Sequence, residues 1–73
     1  MPEVVVYAMQ GRGVPEKHAL MREITDAVVK NFGVDPDLVT VQIVEAPADN
    51  KAKGGIAYSI RHPRDIPVGK QAG

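Results

Sequence analysis

Leu20, Ile24, Ala27, Val28 and Phe32 recur at spacings near 3.6, and a strand-like segment stands on either side of them. That order leaves few ways to fold. The stripe gives a helix of about 17 residues one apolar side, with Glu16, Lys17, Arg22, Glu23, Asp26 and Lys30 left to its other faces. Ahead of it, residues 4–9 read Val-Val-Val-Tyr-Ala-Met, β-branched and apolar on both faces, as in a covered strand. Behind it, residues 38–45 alternate, with Val39, Val41, Ile43 and Glu45 on one side and Leu38, Thr40, Gln42 and Val44 on the other. Strand, helix and strand in this order make one right-handed β-α-β unit with parallel strands.

The punctuation agrees with these limits. Gly11-Arg12-Gly13 ends the first strand, Pro15 suits a first helical turn, and Gly33 suits the position after the helix end. Asp35-Pro36-Asp37 is a turn. Residues 47–55 are polar and end in Gly54-Gly55, and Ile56 to Ile60 has the composition of a short third strand. The tail from Arg61 carries Pro63, Pro67, Gly69 and Gly73, which predicts an extended or disordered segment. The fold class expected is α/β: two parallel strands, one crossover helix and a short C-terminal strand or hairpin. It forms a single domain over 1–73, with a core of 2–60 and a tail of 61–73.

A chain of 73 residues buries only about 60% of its unfolded surface and needs a further staple. There is no cysteine for disulfides, and His18 and His62 lack metal-ligand spacing. Oligomerisation remains. A helix on two strands leaves a sheet face and sheet edges bare, so the fold predicts a symmetric assembly. Nine basic and nine acidic side chains cancel, which argues against nucleic acid as a partner. Arg61 and Arg64, split by Pro63 and followed by Asp65, read as solvated or interface-facing. No apolar run approaches the ~20 residues of a membrane span, and the start lacks a secretory signal. The expectation is a soluble, cytoplasmic protein with no membrane partner.

Several side chains are candidates for chemistry, each with a plainer reading beside it. Pro2 becomes a free secondary amine if Met1 is removed. An α-amino group titrates near 8, and burial or a nearby cation such as Arg12 lowers that value, so a neutral amine can act as a general base. Taken alone, a proline there is more often a rigid start to an edge strand. Arg12, between two glycines, offers a donor fork to a carboxylate, or lies solvated in a tight turn. Gly54-Gly55 reads as a turn, His18 as a surface residue, and Tyr7 and Tyr58 as packing residues with polar tips. Glu45 reads as a carboxylate base or as a paired strand end.

Taken together, Pro2, the strand Val4 to Met9, Gly11-Arg12, Glu16-Lys17, Leu20, Arg22-Glu23, Ala27, the strand Val39 to Glu45 and Gly54-Gly55 resemble the 4-oxalocrotonate tautomerases. The resemblance runs without insertion from Pro2 to about Ile60. It implies β-α-β subunits that dimerise and assemble as a trimer of dimers, here a homohexamer. It also implies keto–enol tautomerisation of an unsaturated 2-hydroxy or 2-oxo acid without a cofactor or metal. Pro2 is then the proton carrier, and Arg12 binds the carboxylate of the small-molecule substrate.

Two departures bear on the substrate. The prototype's second arginine, in strand two, is matched by Thr40, with Gln42 two residues on. Its pocket phenylalanine falls at about Lys51. A hydroxyl cannot replace a bidentate cation. The expectation is a pocket that holds one carboxylate about as well as two, unless Lys51, Lys53 or Arg61 supplies the missing charge. The proline-rich tail is also similar to that of 3-chloroacrylic acid dehalogenases, which hydrate with the same proline. Their water-activating glutamate is matched by Lys53, of opposite sign. A non-enzymatic oligomer with an incidental Pro2 is the remaining alternative.

Overall fold

The computed structural model describes residues 1–61. Strand β1 covers Glu3–Met9, helix α1 Val14–Phe32 and strand β2 Thr40–Ala46; strands β3, Ala52–Lys53, and β4, Ile56–Ala57, follow. Single 3₁₀ turns at Pro36–Leu38 and Ala48–Asn50 flank β2. β1 and β2 pair in parallel, from Glu3 opposite Thr40 to Met9 opposite Ala46. This is the β-α-β arrangement expected from the hydrophobic periods, and the C-terminal antiparallel pair is the short hairpin of the expected fold class.

The period-2 pattern decides which sheet face the helix covers. Val4, Val6 and Ala8 of β1 and Val41, Ile43 and Glu45 of β2 are half-buried, whereas Val5, Tyr7, Thr40, Gln42 and Val44 face out. The helix presents Lys17, Met21, Ile24, Thr25, Val28 and Val29 as its half-buried line, the i, i+4, i+7, i+8 spacing of one helical face. This differs from the expected stripe. Ile24 and Val28 are shared, but Leu20 is 42% exposed, Phe32 69%, and Ala27 is exposed. Two strands are too narrow to cover the whole apolar side, so its flank overhangs the sheet.

The helix runs 19 residues rather than about 17. Pro15 stands in its first turn, and Glu16 curls back so far that a Cβ on Gly13 would lie 2.5 Å from Glu16 Oε1. An acid there complements the helix dipole. Gly33 closes the other end in the left-handed region, φ 66°, its N–H donating to Val29 O at 2.9 Å.

β2 begins at Thr40 rather than at residue 38. Asp35 Oδ1 accepts from Asp37 N at 2.9 Å, and Val39 N donates to Pro36 O at 3.0 Å, drawing Leu38 into the turn. The third strand is shorter than expected and has a partner inside the polar segment 47–55. β3 and β4 pair antiparallel across Gly54 and Gly55, both at positive φ (62° and 80°), as a two-residue hairpin turn requires. Ile60 N and Arg61 N both turn back to Ala57 O, which ends β4 at residue 57.

No described side chain is fully buried in a single copy. Val5, Tyr7 and Val44 leave the outer sheet face open, with Tyr7 74% exposed. Both strands also keep one unpaired edge among the described residues. Among those residues no helix is long and apolar enough to cross a membrane. The expectations for 62–73, including the extended tail and His62, lie outside the described residues.

Candidate active site

Where β1 hands over to α1, the chain forms an open cleft of about 600 Å³. The strand floor Val6, Ala8, Met9 and Ile43 and the overhanging Leu20 make it largely apolar, with Tyr7 at its side. Arg12, Glu16, Lys17, Glu45 and Lys51 bring charge to it. Arg12 is placed by the short link between the end of β1 and the first helical turn. The residue is half-buried, and its guanidinium donates to Met9 O at 3.4 Å, a long contact that leaves most of its donors uncommitted. Such a group can receive a carboxylate.

Beneath it, Lys17 Nζ lies 3.0 Å from Glu45 Oε1, joining the first helical turn to the end of β2 across 28 residues. The side chains are 27% and 22% exposed. Glu45 Oε2 is shielded and has no hydrogen-bond partner. A shielded carboxylate needs its cation, so this pair holds the helix start, and with it the Arg12 link, against the sheet. Sequence reasoning left Lys17 on the polar face. The available signal was topological: in a β-α-β unit the crossover returns the end of β2 to the start of the helix.

Pro2 lies at the other end of the sheet. It is half-buried and its carbonyl accepts from Thr40 N at 3.0 Å. Thr40 is exposed beside it, opposite Glu3 in register. The seven residues of β1 separate Pro2 from the Arg12 end by about 23 Å. Within one copy, then, Pro2 sits with Thr40, and Arg12 with Lys51. The two predicted catalytic residues are not brought together. Lys53 on the hairpin and Arg61 beyond it lie outside the cleft, Arg61 Nη1 donating to Lys53 O at 2.8 Å. His18 borders a second groove with Gln42 on the β2 side. Among the described residues no cluster of three metal-ligating side chains occurs.

The profile of the tautomerase family, described as tautomerase enzyme, matches residues 2–57. A probable tautomerase of Bradyrhizobium diazoefficiens is 53% identical over 58 residues, 80% of this chain and 87% of the relative. Among solved structures, the heterohexamer 4-oxalocrotonate tautomerase of Chloroflexus aurantiacus superposes with a TM-score of 0.77 at 26% identity. It covers 85% of this chain and all of that one. A structure from the 4-oxalocrotonate tautomerase isozymes of Methylibium petroleiphilum gives 0.75 at 29% identity, over 81% of this chain and 92% of that one. Parallel strands under a single crossover helix, a C-terminal hairpin and these likenesses lead to one assignment: the chain belongs to the tautomerase family, as an isomerase of the 4-oxalocrotonate tautomerase type.

Proposed function

We propose that this protein is a cofactor-independent keto–enol tautomerase of an unsaturated 2-hydroxy or 2-oxo acid, working at sites shared between subunits of a hexamer. The observation that carries the reading is the placement of Pro2 and Arg12 at opposite ends of one strand with a free edge. If two β1 edges meet antiparallel about a two-fold axis, the start of each strand lies beside the end of the other. Pro2 of one copy then faces the cleft that holds Arg12 of the partner subunit. The apolar outer face around Val5, Tyr7 and Val44 gives such dimers a surface on which to assemble further. The heterohexamer among the similar structures supports six chains; a single chain type makes it a homohexamer.

The chemistry follows from the two groups. Removal of Met1, a residue 91% exposed, frees the secondary amine of Pro2. Neutral, it takes a proton from one atom of the conjugated acid; as the double bonds shift, it returns that proton to a carbon further along. No proton is consumed overall. Arg12 binds the carboxylate and draws electron density towards it, stabilising the dienolate between the two transfers. Its charge also disfavours the protonated amine. A single general acid–base group contributes about 10²–10⁴-fold.

The test joins two measurements. Mass spectrometry of the purified protein distinguishes 72 residues from 73, and Pro2→Ala is assayed on phenylenolpyruvate and 2-hydroxymuconate. The reading expects the 72-residue form and a loss of about 10²-fold or more on alanine substitution. Retained Met1 in an active protein, or an unchanged rate, rules out the amine.

A further inference from the structure

The structure separates the side chains available to stand in for the missing second arginine, and it leaves one of them bordering the same cleft as Arg12. Thr40 stays with Pro2 at the far end of its own sheet. Neither Lys53 nor Arg61 borders the cleft, and Arg61 Nη1 donates to the Lys53 backbone carbonyl at 2.8 Å. Lys17 borders it, but Glu45 holds its ammonium at 3.0 Å. Glu16, the other acid there, lies back over Gly13.

Lys51 also borders the cleft, half-buried, and has no ionic partner among the described residues. Its root is fixed: Lys51 O accepts from Tyr58 N at 2.8 Å immediately before β3. The hairpin therefore presents Lys51 from a hydrogen-bonded base. A lysine stem can lie along an apolar wall while its ammonium reaches an anion.

We propose that Lys51 is the specificity-determining cation of this site, reading a second anionic group on a substrate whose first carboxylate Arg12 holds. The inference rests on the reading of the Arg12 cleft as the substrate site. It replaces the expectation, drawn from Thr40, of indifference between one and two carboxylates. An ammonium is a compact charge with three rotatable donors and lacks the planar fork of arginine. It selects for charge at the second position rather than for the geometry of a carboxylate. The substrate class is an unsaturated acid with an anionic group at each end.

Sorbate and trans,trans-muconate share a six-carbon diene chain and differ by one carboxylate; neither carries the 2-hydroxyl needed for turnover. Dissociation constants from NMR titration of the Met1-processed protein give the ratio of sorbate to muconate. The wild type should favour muconate about tenfold or more, the size of one charge-assisted contact. Lys51→Met should bring the ratio close to one, Lys51→Arg should restore most of it, and Lys53→Met should leave it in place. An equal ratio in wild type and Lys51→Met, or a wild type that does not prefer muconate, overturns the proposal. Because neither probe is turned over, that outcome is distinct from failure of the catalytic reading, which appears as an unchanged rate in Pro2→Ala.

Discussion

In the proposed mechanism Pro2 supplies a proton site and Arg12 supplies charge, and single substitutions separate the two roles. A charge-assisted contact is worth roughly 1.5–3 kcal/mol, so Arg12→Ala should lower kcat/KM for phenylenolpyruvate about tenfold or more. It should also move the acidic limb of the pH–rate profile to higher pH, because removing a neighbouring cation raises the amine's pKa. The sign is fixed: more amine is then protonated at a given pH, and the base is lost earlier as pH falls. Steady-state rates with an unmoved limb would place Arg12 in solvent. Both residues were legible in the sequence as types at positions. The strand that sets them about 23 Å apart was legible too, since Gly11-Arg12-Gly13 ends it. What was not legible is that Thr40 pairs beside Pro2 and that Lys51 borders the cleft with Arg12, because only strand register and the hairpin fix those meetings.

At the scale of elements, the Lys17–Glu45 pair ties the helix start to the end of β2. Lys17→Met alone leaves a shielded carboxylate uncompensated and should destabilise the fold by on the order of 1–3 kcal/mol. The double variant Lys17→Met/Glu45→Gln should recover part of that loss, since the unpaired charge is gone. Thermal unfolding measures both; strictly additive losses would make the two residues independent. Element order, the parallel pairing and the Gly33 helix end were readable from hydrophobic period and turn chemistry, because those signals are local; the register was not. The helix rotation was not. Leu20 and Phe32 are as apolar as Met21 and Val29, and only the width of the two-stranded sheet decides which are covered. The hairpin was half-legible: Gly54-Gly55 marked the turn, but Ala52-Lys53 carries no strand pattern of its own.

For the whole molecule, the absence of any fully buried described side chain in one copy makes assembly the condition for a core. Sedimentation at micromolar concentration should give a six-chain species, and a folded monomer there would contradict it. The central claim is narrower, that each active site takes Pro2 from one copy and Arg12 from the partner subunit. Pro2→Ala and Arg12→Ala should each be impaired alone. Unfolded together in equal amounts and refolded, half the two-fold pairs are mixed, and each mixed pair rebuilds one intact site of its two. The assay on phenylenolpyruvate should then recover about a quarter of the wild-type rate. A mixture no more active than the average of the two variants would mean that both residues act within one chain, and the shared-site account would be wrong.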